Sequence, residues 1–531
     1  MSVAEATVAP HHLQTLPRGG ADPLAKYAYG AALAEARDRT LSLVAPVSER
    51  NLNLQHHPLV SPLVWDLGHI AAFEDLWLCR SAGDVDLLRP ELSELYDAAE
   101  TPRADRGEVA YLRREEALEF MHQVHERALA VLERADISPE GDRLNAGGFV
   151  WEMLIQHEHQ HNETMLQTLQ LVGPDVYSPT RTPLPPAPAK RGATGGLQRG
   201  AVPPFDRLGL QRGAVPPFDR LGLQRGAVSP LDAFVEVPGG SFLMGDPGLE
   251  FAYDNERPRH PVHVDSFRID RTPVTNAAFL EFVADGGYAR RELWDRAGWA
   301  WRTSEGVQRP LFWSADGQER RFERVAPIDP DMPVMHVSWF EADAFARWRG
   351  ARLPTEEEWE KAAAWDPDTG DSRRWPWGDG GLTAQPPAGA LDGGPGGPNA
   401  QPAGTLNGGP VPRFEAGGLQ RGTMPPFEAN LDQLAFGPAP AGALPAGVSA
   451  CGVLGMIGDA WEWTASPFTG YEGFAAFPYP QYSEVFFGGD FRVLRGGSWA
   501  TRPSIARNTF RNWDHPHRRQ IFTGFRCARD P

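Results

Sequence analysis

GLQRGAVPPFDRL occupies residues 196–208, repeats unchanged at 209–221 and returns as GLQRGAVSPLD from 222. A further copy, GLQRGTMPPFE, spans 418–428. One or two prolines in each unit remove backbone donors, and a 13-residue period matches no solenoid of packed repeats. Together with the preceding SPTRTPLPPAPAKRGATGG, these units bury too little apolar surface to offset chain entropy. Residues 178–232 are therefore expected to be a solvated linker, the alternative being a binding segment. The chain must fold on either side of it, as one unit over 24–177 and another over 233–531.

The first unit reads as helical. Segments near 24–45, 61–82, 112–135 and 148–172 carry apolar residues at three-four spacing, which predicts a four-helix bundle. Ser61-Pro62 is expected to supply the N-cap and first-turn proline of the second helix. The second unit differs, with short apolar stretches, many Gly and Pro, and most of the 17 tryptophans. Helices are predicted there at 338–350 and 355–364, the latter opened by a capping box of Thr355 and Glu358. A stretch near 380–430 reads as a disordered insertion. The fold class expected is a bundle followed by an irregular, loop-rich α+β domain.

A formal charge of −18 argues against partners that need a basic surface, namely nucleic acid and anionic membrane. No basic-then-apolar leader opens the chain, and no apolar run is long enough to span a bilayer. Cys79, Cys451 and Cys527 stand alone, as buried structural thiols would in a reducing compartment. A cytoplasmic location is the expectation.

Residues 157–163, HEHQHNE, carry the chemistry. On a helix His157 and His161 share a face one turn apart, so both imidazoles reach one metal, whereas His159 points away and is expected to face solvent. Two other readings compete: polar surface histidines, and a zinc protease helix of the form H-E-x-x-H. The protease reading lacks its third ligand. Position 167 is Gln, and no helix follows before the proline-rich run to supply a glutamate. His69 strengthens the metal reading, because SPLVWDLGHIAAFEDLWL places it on a strongly apolar helix where a histidine needs a partner.

VEVPGGSFLMG (235–245), HVSWFEADAFARWRGARLPTEEEWEKAA (336–363), GMIGDAWEWT (455–464) and VLRGGSWA (493–500) resemble the formylglycine-generating-enzyme fold, a loop-rich relative of C-type lectins. The copper-binding cysteine pair of those enzymes is missing from ATRPSIARNTFRN, so only the scaffold is shared. Trp461, Trp463, Arg495 and Trp499 belong to motifs of that scaffold and are read as structural. The first unit resembles DinB-like bundles, in which one histidine on the second helix and HxxxH on the fourth hold a metal. His69, His157 and His161 match that pattern. The fusion of the two resembles the ergothioneine-pathway sulfoxide synthases, and the ending FRNWDHPHRRQIFTGFRCARD is similar to the branch that uses γ-glutamylcysteine.

That resemblance implies a mononuclear Fe(2+) enzyme that joins γ-glutamylcysteine to hercynine (Nα-trimethylhistidine) with O2, leaving a sulfoxide. It implies that Gln160 contacts the imidazole substrate, Asp514 takes the amino group of the thiol peptide, and Arg518 clamps a carboxylate. Arg106 is the candidate for a further carboxylate, with Arg103 three residues away. Trp513 is a candidate wall for the cationic substrate. A tyrosine donor is expected among Tyr471, Tyr479 and Tyr482. Tyr479 is favoured because FPYP fixes its backbone, and Tyr471 comes second. Free cysteine as thiol donor, an ovothiol-type reaction and a non-catalytic binding module are the alternatives.

Overall fold

The structure is a computed structural model that describes residues 23–98, 100–179, 234–379 and 428–531. The repeats at 196–232 lie outside the described residues, as does nearly all of the insertion expected near 380–430. Helix α1 (Pro23–Val44) leads through short α2 (Glu49–Asn53) to α3 (Leu63–Glu74), α4 (Arg114–Arg134) and α5 (Phe149–Leu171). Helix α3 runs on without interruption as a π-helical segment, Asp75–Ala82. The long elements coincide with the four segments of three-four periodicity.

Two local readings need correction. Ser61 does not cap α3; Pro62 occupies the N-cap position without a side-chain bond. The Ser61 hydroxyl instead accepts from Arg106 Nη1 at 2.8 Å, because Arg106 is buried there and has no water to bond. His159 does not face solvent: it is 3% exposed, with Nε2 3.8 Å from Glu35 Oε2 on α1. Burial, then the nearby Arg502 and Arg39, push its imidazole well below the usual range. The face of α5 opposite the His157–His161 pair is covered by protein, which a single-helix reading cannot foresee.

The second domain is built from short pieces. Strands β1 (Phe234–Val237), β2 (Gly240–Met244), β3 (His260–Val264) and β4 (Phe267–Asp270) precede α6 (Asn276–Ala284) and α7 (Arg296–Ser304). Strands β5 (Gln318–Arg321) and β6 (Arg324–Pro327) form a hairpin before α8 (Trp339–Trp348) and α9 (Glu356–Ala364). Then come β7 (Trp461–Pro467), β8 (Arg492–Arg495), β9 (Asn512–Asp514), β10 (Thr523–Gly524) and β11 (Ala528–Arg529). The largest sheet has the order β10-β7-β8-β9, and a second has β1-β4-β11. The capping box of α9 forms, with Glu358 N donating to Thr355 Oγ1 at 3.2 Å. Helices α6 and α7 have nine residues each, too few for periodicity to announce them.

Buried ion pairs hold these loops where regular structure is scarce. Arg495 meets Glu356 at 2.9 Å, and Arg526 meets Glu462 at 2.6 Å, all four groups being buried. Trp463 is fully buried and donates to Val337 O at 3.0 Å. Cys79 and Cys527 are buried free thiols, whereas Cys451 is only half-buried, beside Trp365 O. No helix among the described residues is long and apolar enough to cross a membrane.

Helix α5 joins the domains. Gln156, Gln160, Glu163 and Gln170 line one side of it and bond to the second domain. The central contact is Glu163, which accepts from Trp461 Nε1, Ser498 Oγ and Thr501 Oγ1, each at 2.7 Å.

Candidate metal centre

His69 on α3 meets His157 and His161 on α5, and one nitrogen or other ligand atom from each lies within 4.8 Å of the others. Ring centroids are 5.2 Å apart for His69–His157, 4.7 Å for His69–His161 and 4.6 Å for His157–His161. His69 Nδ1 lies 2.6 Å from Tyr96 O, so it donates there and leaves Nε2 free. Gly68 permits this approach. A Cβ at that position would stand 2.1 Å from the Tyr96 ring. Trp65 stacks on His69 at 4.9 Å and Phe73 on His157 at 4.0 Å, fixing both ring planes.

Burial pushes the His69 and His157 imidazoles well below their ordinary range, and His161 pushes both the same way. Neutral imidazole is the form that binds a metal. Nδ1 of His157 and Nδ1 of His161 are buried without hydrogen-bond partners. Three convergent imidazoles fit a divalent metal, with modest closure needed to reach bonding distances of about 2.1 Å.

The second domain closes the other side. Tyr479 stacks on Trp77 at 4.9 Å and meets the edge of Phe73 at 6.1 Å, one ring away from His157. Tyr482 lies 6.3 Å from Tyr479 and stacks on Tyr253 at 4.3 Å. Gln160 Nε2 donates to Tyr253 Oη at 2.8 Å. Trp513 stacks on Phe468 at 4.0 Å and meets Tyr482 edge-on at 6.0 Å. The tyrosine loop is tied down by Asp254, which accepts from Ser483 Oγ at 2.5 Å and from Phe477 N at 3.2 Å. Prolines alone do not fix it.

Tyr471 goes elsewhere. Its ring lies under the Arg511 guanidinium at 4.2 Å and against His260 at 4.6 Å, and its buried hydroxyl has no partner among the described residues. Asp514 and Arg518 pair with each other at 3.4 Å. Arg518 Nη1 also reaches Leu59 O at 3.5 Å, and its guanidinium is lowered by burial and by Arg103, against the pull of Asp514. Arg106 turns inward, where it bonds Thr101 O at 2.9 Å and lies 3.6 Å over Trp65. Burial brings it down to about 10. The turn Arg103–Asp105 thus puts one arginine in and leaves Arg103 exposed beside Arg518.

Sequence reasoning passed over Tyr253 and Asp66. Tyr253 sits in a loop with no motif around it. Asp66 had a signal, three residues before His69 on the same apolar helix.

Residues 32–165 match the DinB superfamily, and residues 222–531 match the sulfatase-modifying factor enzyme 1-like domain. A helical bundle with a three-histidine cluster, closed on its open side by that second domain, defines a two-domain protein with a candidate metal centre. Hercynine oxygenase of Mycolicibacterium thermoresistibile is 43% identical, over 94% of this chain and 94% of its own length. That of Mycolicibacterium smegmatis is 43% identical, over 94% and 97% respectively. A formylglycine-generating enzyme of Thermomonospora curvata is 30% identical, over 56% of this chain and 93% of its own. The chain belongs to the hercynine oxygenase family.

Proposed function

We propose that this protein joins the sulfur of γ-glutamylcysteine to C2 of the hercynine imidazole with O2, leaving a sulfoxide. The observation that carries the reading is the cluster of His69, His157 and His161 with Tyr479 of the second domain one ring away, across Phe73 from His157. The three histidines would hold Fe(2+), which would supply binding and activation of O2 and of the thiolate.

The protein groups divide the remaining work. Gln160, steadied by Tyr253, keeps its carbonyl oxygen for an imidazole N–H. Trp513 and Tyr482 offer π faces to a trimethylammonium group. Asp514 takes the ammonium of the thiol peptide, while Arg518 and exposed Arg103 take its carboxylates. Arg106 supports this end by packing on Trp65 beneath His69. Tyr479 donates the proton from its hydroxyl, which burial raises far above the usual phenol range, so it stays protonated until the reaction calls on it.

A second cationic group, Arg103, near Arg518 favours a thiol with two carboxylates over free cysteine. The test is to load the protein anaerobically with Fe(2+), add hercynine with either thiol, admit O2 and identify products by mass spectrometry. A coupled sulfoxide formed mainly from γ-glutamylcysteine is expected. The same product mainly from cysteine would overturn the thiol assignment. No coupled product from either thiol would overturn the reaction.

A further inference from the structure

Asp66 lies on α3, 1% exposed, with Oδ1 3.4 Å from His161 Nδ1. Neither of its oxygens has a hydrogen-bond partner among the described residues, and neither does His161 Nδ1. Burying unpartnered polar atoms is costly, so a carboxylate held there needs a task. The imidazole has two distinct nitrogens. With Nδ1 toward Asp66, Nε2 is the one left for the cluster, just as Tyr96 O holds Nδ1 of His69.

We propose that Asp66 is a positioning residue for the metal. It accepts the Nδ1–H of His161, fixes the tautomer whose Nε2 is a ligand, and strengthens that nitrogen as a donor. This rests on the three histidines being a metal site. A small approach of the ring, from 3.4 Å toward about 2.9 Å, completes the bond when His161 is drawn to a metal. The competing role is structural, with Asp66 serving only as counter-charge to Arg106, whose guanidinium feels it.

The test measures Co(2+) affinity by visible absorption, together with the melting temperature of metal-free protein, for wild type, His161→Ala, Asp66→Asn and Asp66→Ala. Wild type is expected to bind Co(2+), and His161→Ala to lose it. Both Asp66 variants are expected to bind about 10–100-fold more weakly. Their metal-free melting should be unchanged or raised, because no formed hydrogen bond is removed. Affinity within about threefold of wild type would overturn the inference, since an orienting partner contributes more than that. Lowered metal-free melting with unchanged affinity would also overturn it, in favour of the counter-charge role. If neither variant melts cooperatively, Asp66 is a folding residue and the inference fails. Wild type that binds no Co(2+) would remove the metal-site reading first, and this inference with it.

Discussion

Glu163 of α5 and Trp461 of β7 share a 2.7 Å hydrogen bond across the two domains. The same carboxylate takes bonds from Ser498 and Thr501, and burial raises its pKa against all three. The bond lies two residues along α5 from His161, so the helix that presents two histidines also fixes the second domain.

Replacing Glu163 by Ala strands three donors in a dry interface. A loss of about 2–4 kcal/mol in unfolding free energy is expected, read by urea denaturation followed through tryptophan fluorescence. A loss under about 0.5 kcal/mol would mean that water already satisfies these groups.

His157→Ala and His159→Ala separate the three histidines of HEHQH. The first should abolish stoichiometric Fe(2+) binding, and the second should retain it, since His159 points to Glu35 and away from the cluster. Equilibrium dialysis under argon reads both. Loss of iron in the His159 variant, with its fold intact, would contradict the proposed ligand set.

Tyr479→Phe should lower the rate of sulfoxide formation by about 10²–10³-fold, in the range of a lost proton donor. Tyr471→Phe should leave it within about twofold, because that hydroxyl is buried away from the histidines. Single-turnover rapid quench distinguishes the two. Equal effects would show that the hydroxyls matter through stability alone.

Arg103→Ala should raise KM for γ-glutamylcysteine about tenfold, a loss of about 1.4 kcal/mol, while KM for hercynine stays put. Steady-state kinetics with each substrate varied in turn provides the measurement. A rise confined to hercynine would reverse the proposed orientation of the two substrates.

Asp459 offers a pH test. Burial raises it to about 6, against the bonds from Ala439 N and Asn430. Between its ordinary value of 3.8 and about 6 the folded protein holds a proton that the unfolded chain releases, so this residue's contribution to stability falls as pH rises through that window. Asp459→Asn keeps the acceptor oxygen and suits the φ of 61°. It should add on the order of 1–3 kcal/mol at pH 7.5 and little at pH 4. Melting curves at the two pH values check it, and an equal effect at both would contradict the assigned protonation.

Much was legible in the sequence wherever the signal was local. Helical periodicity gave α1, α3, α4 and α5 to within a few residues, and the Thr355–Glu358 box gave the start of α9, because these depend on neighbours within a turn or two. One helix face sufficed to pair His157 with His161, and the motifs along 235–500 sufficed for the second domain's family.

Where a side chain's surroundings come from distant segments, the sequence was silent or misleading. His159 reads as exposed until Glu35 and Arg502 close over it, and Tyr471 and Tyr479 read alike until Arg511 claims one and Trp77 the other. Ser61 reads as a helix cap until buried Arg106 takes its hydroxyl. The sequence by itself determined which helices form and which residue types can bind a metal. Only the tertiary structure decided which buried polar atoms find partners, because those partners lie up to hundreds of residues away and their geometry follows from packing.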